Sequence, residues 1–301
     1  MEPCDYIASL PSKKIRNFAI DALDIWYKVP DTALDIITYV IEMLHNSSLI
    51  IDDIEDNSTI RRGMPSAHMV FGMSESINTA SFLFAKCLQA ILKLSSGAAQ
   101  IYAEELANLH LGQGLELRWT FYKECPSEEQ YMQMVDGKTG GLFRFAGRLM
   151  KLEATQNKNL DVDDLLTLMG RYFQIRDDYQ NLGSKDYALT KGSLTDLDEG
   201  KYSFILIHAL NNTRDAQLRG LLELRSRTGG MTAEQKKLAM TIIGRTKSME
   251  YTQNVLKELQ EEIKNRLEEL EAENKLGEPN WMLRAIMSRL RVDFSWTSYI
   301  L

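Results

Sequence analysis

The chain is poor in residues that interrupt helices, and this feature constrains its fold more than any other. Only 6 prolines and 18 glycines occur in 301 residues. Apolar residues recur at intervals of three and four along most of the sequence, whereas apolar–polar alternation is rare. These intervals place apolar side chains on one face of a helix. The sequence therefore predicts an all-α protein in which each helix buries one face.

The predicted helices are separated by short linkers. One helix begins after Pro30 and Asp31, where a cap is plausible. Because no glycine- or serine-rich tether and no internal repeat occurs, we expect a single helical domain over 1–301. The further predicted helices lie near 75–95, 99–122, 128–150, 161–182, 200–211, 232–245, 248–275 and 279–291.

Composition and charge argue against several classes of protein. Hydrophobic residues make up 44% and charged residues 26%, which is ordinary for a globular protein. The formal net charge of −7 argues against a nucleic-acid-binding protein. Uninterrupted apolar runs such as 204–207 are too short to span a bilayer, so we expect no membrane span. Cys4, Cys87 and Cys125 are too scattered for a disulfide framework and indicate reduced thiols in a cytoplasmic protein.

A first acidic cluster ends the helix that begins near residue 31. Asp52 and Asp56 are four residues apart and continue the apolar row of that helix. Such like-charge pairs cost about 0.2–0.5 kcal/mol even when exposed, so a cation is expected nearby. Oxygen ligands without His or Cys favour Mg²⁺, and the following Arg61 and Arg62 suit diphosphate oxygens. A solvated helix end is the alternative interpretation of this cluster alone.

A second polar cluster repeats the same pattern. Gln174, Asp177, Asp178 and Asn181 lie at i, i+3, i+4 and i+7, at the end of another inward-facing apolar stripe. Two such helices can face each other across a cavity and hold metal ions between their carboxylates. The repetition favours this interpretation over two solvated helix ends.

Three isolated lysines complete the pattern. Lys138 and Thr139 precede the glycine pair 140–141, where a helix break would expose backbone N–H groups to a phosphate. Lys191 lies in a polar loop, and Lys201 opens the next predicted helix. The residues together predict a pocket for Mg²⁺ and more than one diphosphate.

On these residues the chain resembles the trans-isoprenyl diphosphate synthases, and among them the eukaryotic and fungal geranylgeranyl diphosphate synthases. It is also similar to the prenyltransferase half of fungal bifunctional terpene synthases. The resemblance implies an isoprenoid-synthase-type helical bundle around a central cavity and extends from about Tyr6 to Val292, leaving a divergent tail over 293–301. The matching stretches are 43–48, 52–56, 61–63, 109–114, 138–143, 172–179, 196–204 and 250–252.

The resemblance also implies roles for individual residues. It makes Asp52, Asp56 and Asp177 the ligands of Mg²⁺, with three ions per active site, and Asp53 and Asp178 their supports. Contacts to the allylic diphosphate would come from Arg61, Lys138, Thr139, Gln174, Asn181, Lys191 and Lys201. Contacts to isopentenyl diphosphate would come from Lys13, Arg16, Arg62 and His68. The catalytic set would be Asp52, Asp53, Asp56, Lys138, Asp177 and Lys201.

The implied reaction is a head-to-tail prenyl transfer. Isopentenyl diphosphate would be condensed with dimethylallyl, geranyl or farnesyl diphosphate by a homodimer or higher homo-oligomer. We expect mainly geranylgeranyl diphosphate (C20). Geranylfarnesyl diphosphate (C25) is the alternative, because Ala85 stands where members of the resembled family often carry a bulkier side chain, and the smaller residue leaves room for a longer product. The residues expected to set product length are Ser47, Ser48, Phe84, Ala85 and His110.

Two other functions are consistent with parts of the pattern. A class I terpene cyclase also ionises a diphosphate on an Asp-rich helix, but it needs only one diphosphate site. A non-catalytic regulatory subunit would be expected to lack one acidic motif, and both motifs are present here. Ser12 replaces the glycine of the N-terminal basic motif in the resembled family, which makes Lys13 and Arg16 the weakest assignments.

Overall fold

Helices form almost all of the regular structure in the computed structural model, which describes residues 1–12, 14–183, 194–213, 216–274 and 277–292. The all-α prediction is confirmed. A two-stranded antiparallel hairpin, β1 (Ile60–Arg61) and β2 (Met64–Pro65), is the regular non-helical element in these ranges. The helices are α1 (Glu2–Ser9), α2 (Ile15–Tyr27), α3 (Asp31–Glu55), α4 (Ala67–Phe71), α5 (Met73–Ile91), α6 (Ala98–Tyr122), α7 (Glu128–Lys138), α8 (Gly140–Glu153), α9 (Asp163–Gly183), α10 (Thr195–Glu199), α11 (Phe204–Asn212), α12 (Ala216–Thr228), α13 (Ala233–Arg245), α14 (Ser248–Glu273) and α15 (Trp281–Leu290).

The helix boundaries differ from the predicted ones in two ways. The predicted helix 128–150 is divided into α7 and α8 at Thr139, the position at which the glycine pair predicted a break. Helices α1, α2, α4, α10 and α12 were not predicted. Helix α2 follows Lys14 in the left-handed conformation and has no side-chain cap, so its sequence lacks the usual start signal.

Helix α3 provides the scaffold for the acidic cluster. Its apolar face buries Ile37, Val40, Ile41 and Leu44, and the helix packs against α1, α5 and α8. Each fully buried side chain of this kind contributes about 1.5–3 kcal/mol of transfer free energy. The main core continues through α8, α9 and α11 to α14, whose buried stripe runs from Leu256 to Leu270. Packing on several sides fixes the direction in which the C-terminal turn of α3 points.

Two close helix crossings depend on glycine. A Cβ at Gly112 of α6 would lie 2.5 Å from the backbone nitrogen of Lys138 and 2.8 Å from the carbonyl oxygen of Met134. A Cβ at Gly170 of α9 would lie 2.6 Å from Cα of Gly140. These contacts let the backbones of α6, α7, α8 and α9 approach each other where a side chain would clash. The α7–α8 junction, with its lysine and threonine, is thereby held between α6 and α9.

One described helix, α3, is long and apolar enough to cross a membrane when only length and composition are considered, with a mean hydropathy of 1.3. The prediction from uninterrupted apolar runs did not identify it, because polar residues are interspersed along the helix. Length and composition alone are weak evidence for a membrane span.

Substituting Gly112→Ala is expected to lower the free energy of unfolding by about 1–3 kcal/mol, because the new methyl group would clash with backbone atoms of α7. Gly114→Ala is the matched control on the same helix, since a Cβ there has no neighbour within 4 Å. Chemical denaturation of both variants measures the difference. Equal stability of the two variants would contradict the close crossing.

Candidate active site

The C-terminal turn of α3 is paired with an arginine from the following hairpin. Arg61 Nε donates to Oδ1 of Asp53 at 2.8 Å, its Nη2 donates to the same oxygen, and Nη2 also donates to Oδ2 of Asp52 at 3.2 Å. Asp53 is fully buried, and its Oδ2 has no hydrogen-bond partner among the described residues. The hairpin thus folds back so that one guanidinium holds both carboxylates.

Lys138 joins this carboxylate cluster to α6. Its ammonium donates to Oδ1 of Asp52 at 2.9 Å and to Oε2 of Glu116. The Nζ of Lys201 lies 3.3 Å from Oε1 of Glu116, and Gln113 donates to Oε2 of Glu55 at 2.7 Å. The buried Glu116 therefore stands between two lysines that the sequence assigned to a diphosphate. We refer to Asp52, Glu116, Lys138 and Lys201 as the charged network.

The two aspartates one helical turn apart respond differently to this environment. Burial opposes ionisation of Asp52, but Lys138, Lys201 and Arg61 hold the pKa of its carboxyl well below the usual range. Burial and the neighbouring charge of Asp52 raise the pKa of the Asp56 carboxyl well above its ordinary value. The charge of Asp52 is thus compensated by nearby cations, whereas a further cation would stabilise the ionised form of Asp56.

The polar stripe on α9 is ordered by hydrogen bonds to α7 and α11. The buried Asp178 accepts from the Tyr131 hydroxyl at 2.6 Å, the backbone N–H of Phe204 at 2.8 Å and Gln174 Nε2 at 3.0 Å. Thr139 Oγ1 donates to Oε1 of Gln174 at 2.7 Å. Burial raises the pKa of the Asp178 carboxyl. Asp178 thus fixes the orientation of α9 relative to the α7–α8 junction, which agrees with a supporting role.

The remaining residues of the second cluster lie on the same side of α9. Asn181 donates to Thr195 Oγ1 at 2.7 Å and accepts from the backbone N–H of Asp196, which joins α9 to α10. Asp177 is half-buried. Within the described ranges, no group of three or more His, Cys, Asp or Glu side chains lies close enough to hold a metal ion. The assignment of Asp52, Asp56 and Asp177 as joint metal ligands stays a prediction.

A separate basic cluster is formed by residues of α2, α3 and the turn after β1. Arg16 Nη1 lies 3.1 Å from Nε2 of His45, and Arg16 also lies over the ring of Phe143. Arg62, in the left-handed conformation, donates to the carbonyl oxygen of Leu10 at 3.4 Å. The Nε of Arg16 is buried and has no hydrogen-bond partner among the described residues. An unsatisfied guanidinium N–H of this kind favours an anion as ligand.

Burial, and then electrostatic repulsion inside the basic cluster, lowers the pKa values of Arg16 and His45. Burial, with the neighbouring Arg62, lowers the pKa of Arg16 to about 10. Burial, followed by Arg16 and Arg62, lowers the pKa of His45 well below the ordinary 6.5. A negative ligand would relieve this repulsion. We refer to Arg16, His45 and Arg62 as the basic cluster.

Not every predicted contact residue belongs to these two groups. His68 lies on α4, and its buried Nδ1 has no hydrogen-bond partner among the described residues. Its role in isopentenyl diphosphate binding stays a prediction. Lys13 and Lys191 lie outside the described residues, as does the tail 293–301.

Two residues of the site have no role in the assignments made from the sequence. His45 lies seven residues before Asp52, two helical turns away on the same face of α3. Glu116 lies three residues after Gln113 on α6. These spacings are visible in the sequence, but only the packing of α6 against α7 shows that Glu116 faces Lys138 and Lys201.

The residues expected to set product length occupy different environments. Ser47 is fully buried and donates to the carbonyl oxygen of Ala80 at 3.0 Å, whereas Ser48 donates to the carbonyl oxygen of His45. The rings of Phe84 and His110 pack edge to face with centroids 5.5 Å apart. Ala85 is exposed. The small serines lie directly before the acidic cluster, and the assignment of all five residues stays a prediction.

The described residues thus form an all-helical scaffold that carries a network of carboxylates and ammonium groups and a separate basic cluster. The sequence profile of the polyprenyl synthetase family matches residues 1–258. The chain belongs to this family, which is a family of prenyltransferases.

Curated fungal proteins match almost the whole chain. It is 46% identical to preasperterpenoid A synthase PvPS of Talaromyces verruculosus and 47% identical to the bifunctional sesterterpene synthase astC of Talaromyces wortmannii, with 97% of the chain covered in each case. It is 44% identical to variediene synthase of Aspergillus brasiliensis over 96% of the chain. The chain spans only 38%, 39% and 42% of the length of these three relatives.

Glu116→Gln is expected to lower the free energy of unfolding by about 1–3 kcal/mol, because two half-buried ammonium groups lose the carboxylate between them. Glu104→Gln on the same helix is the control, since Glu104 pairs with Arg148 at the surface, and it should leave stability nearly unchanged. Urea denaturation at neutral pH compares them. Wild-type stability of Glu116→Gln would contradict the bridging role.

His45 is expected to make the folded protein less stable as the pH falls. Its lowered pKa keeps it neutral in the folded state, while the unfolded chain takes up a proton near pH 6.5. Stability should therefore be fully present above pH 6.5 and decrease below it by up to about 1.4 kcal/mol per pH unit. His45→Gln should flatten this dependence in denaturation between pH 7 and about 5.5.

Proposed function

We propose that the chain catalyses head-to-tail prenyl transfer from an allylic diphosphate to isopentenyl diphosphate. The observation that carries this proposal is the presence of two groups of cations, the charged network and the basic cluster, which suit two diphosphates. A cyclase that ionises one diphosphate has no need for the second group. Membership of the polyprenyl synthetase family supports the same reaction.

The charged network is suited to the allylic diphosphate. Lys138 and Lys201 present ammonium groups. Burial opposes the charge of Lys138, but Asp52 and Glu116 outweigh this effect and raise the pKa of Lys138, so it stays charged. Preplaced charges of this kind stabilise the negative charge that develops on the leaving diphosphate as the C–O bond breaks. We assign the remaining contacts to Arg61, Thr139, Gln174, Asn181 and Lys191.

The basic cluster is suited to isopentenyl diphosphate. Arg16 and Arg62 can grip diphosphate oxygens, and neutral His45 is oriented by Arg16. In the proposed reaction, the double bond of isopentenyl diphosphate attacks the allylic cation, and a proton is then lost, we suggest to the released diphosphate. The role of the basic cluster is to hold this second substrate next to the cation.

Magnesium fits the carboxylates of the two acidic clusters. The like charges of Asp52 and the half-buried Asp56 disfavour each other, and carboxylate oxygens are the ligands that Mg²⁺ prefers. Asp52, Asp56 and Asp177 are the residues that would hold it. When bound, Mg²⁺ supplies positive charge to the leaving diphosphate. Because Lys138 and Arg61 already neutralise Asp52, Asp56 is the carboxyl with more to gain.

We propose geranylfarnesyl diphosphate (C25) as the product and the prenyltransferase half of a bifunctional terpene synthase as the wider context. The sequence placed geranylgeranyl diphosphate (C20) first, but the relatives support the alternative, since astC is named a bifunctional sesterterpene synthase and sesterterpenes are C25 terpenes. The coverage of about two fifths of each relative supports the second part. The small Ser47 and Ser48 before Asp52 are consistent with a long product.

We propose that the chain forms a homodimer through α5 and α6. Large apolar side chains are exposed along these two helices, which is unusual for a surface that meets water alone. A second copy of the same face would bury them in a self-complementary contact. The exposed residues are Met73, Ile77, Phe82, Leu88, Leu111, Leu115, Phe121 and Tyr122.

Incubation with farnesyl diphosphate, isopentenyl diphosphate and Mg²⁺ is expected to give C25 as the main product, measured by chromatography of the dephosphorylated alcohols. Asp52→Ala should lower turnover by at least about 10²-fold, because it removes a carboxylate at the ionising diphosphate. Asp35→Ala, an exposed position on the same helix, is the control and should keep full activity.

Three outcomes would contradict parts of this proposal. No consumption of isopentenyl diphosphate would exclude prenyl transfer and favour a cyclase. Mainly C20 product would reject the C25 assignment in favour of geranylgeranyl diphosphate. Undiminished turnover by Asp52→Ala would reject the role of the first acidic cluster.

A further inference from the structure

Lys201 is placed by a short segment that has little regular structure of its own. The segment consists of the single-turn helix α10 and Gly200, which has a φ of 70°. The backbone N–H of Lys201 donates to the carbonyl oxygen of Asp196 at 3.0 Å. A helix of five residues is not stable by itself. The position of the Lys201 ammonium therefore depends on what holds this segment from outside.

The helical hairpin formed by α12 and α13 holds the segment through Asp198. Oδ1 of Asp198 accepts from the backbone N–H of Met231 at 3.0 Å, and Oδ2 pairs with Lys236 Nζ. Asp198 thus lies beside the first turn of α13, where the helix dipole favours a negative charge. The carbonyl oxygen of the same residue accepts from Arg225 Nε of α12. One residue is therefore held at both its side chain and its backbone.

Gly200 fits closely against the same hairpin. A Cβ at Gly200 would lie 2.6 Å from Nη1 and 2.9 Å from Cζ of Arg225. The guanidinium of Arg225 thus packs on the backbone directly before Lys201. The φ of 70° and this contact both favour glycine at the position. The α12–α13 hairpin contacts the segment at two successive points, three residues and one residue before Lys201.

We propose that Asp198 is a positioning residue, which acts through Lys201 by anchoring the segment 195–201 to the α12–α13 hairpin. The inference rests on the proposed function, because Lys201 is assigned there to the allylic diphosphate. Among the described residues, Asp198 does not contact the charged network directly. The segment connects the two, because Lys201 lies at its end and the Nζ of Lys201 lies 3.3 Å from Oε1 of Glu116. Neither the acidic clusters nor the basic cluster includes Asp198, Arg225 or Lys236.

The kinetic test uses Asp198→Ala, Lys201→Met and the double variant. Asp198→Ala is expected to raise the KM for the allylic diphosphate about tenfold, because a displaced ammonium binds the diphosphate less well. Asp198→Asn keeps an acceptor for the Met231 N–H and should restore most of the affinity. In the Lys201→Met background, Asp198→Ala should add no further loss, since residues acting through one contact are not additive.

A second measurement tests the anchoring without using activity. Amide hydrogen exchange over 195–202 should become faster in Asp198→Ala and in Lys236→Met. Lys237→Met, the exposed neighbour on the same helix, is the matched control and should leave exchange in this segment unchanged. Circular dichroism melting of each variant checks that the chain remains folded.

The outcomes separate this inference from the proposed function. A wild-type KM in Asp198→Ala, or an equal loss in the Lys201→Met background, would overturn the inference while leaving prenyl transfer intact. If the wild-type chain does not consume isopentenyl diphosphate, the proposed function fails. In that case hydrogen exchange over 195–202 still tests whether Asp198 anchors the segment. Unchanged exchange in both Asp198→Ala and Lys236→Met would overturn it.

Discussion

The structure of the site depends on the compensation of buried and half-buried carboxylates by cations from other elements. Asp52 is held by Lys138 and Arg61, and Glu116 is held by Lys138 and Lys201. Each of these groups alone would be costly to remove from water. Because the charges come from the end of α3, the α7–α8 junction, α6 and the segment after α10, their attraction also specifies how these elements pack.

Backbone geometry makes this compensation possible. Gly112 lets α6 approach the last turn of α7, which carries Lys138, closely enough for that lysine to reach Glu116 one helical turn further along α6. The break at Thr139 turns the chain so that Lys138 and Thr139 face different partners, Asp52 and Gln174. A continuous helix 128–150 would have kept both side chains on the cylinder of one helix. The glycines and the break therefore serve the site as well as the packing.

The carboxylates of Asp178 and Asp56, on the two sides of the site, have different environments. Asp178 is fully engaged by a tyrosine, a backbone N–H and a glutamine, and it orients α9. Asp56 follows Asp52 by one turn, where burial and the charge of Asp52 raise the pKa of its carboxyl. The same residue type is thus stabilised by several hydrogen bonds in one place and opposed by a like charge in another. The difference lies in the number of donors that the neighbouring helices supply.

The sequence by itself determined the helical class, most helix positions, the two acidic clusters and the lysines between them, because intervals of three and four residues follow directly from helix geometry. It did not reveal α2 or α12, or the roles of Glu116, His45 and Asp198. Those roles arise from contacts between helices distant along the chain, such as α6 with α7 and α10 with α13. Periodicity shows which face of a helix is buried, but only tertiary packing decides which charge lies opposite it.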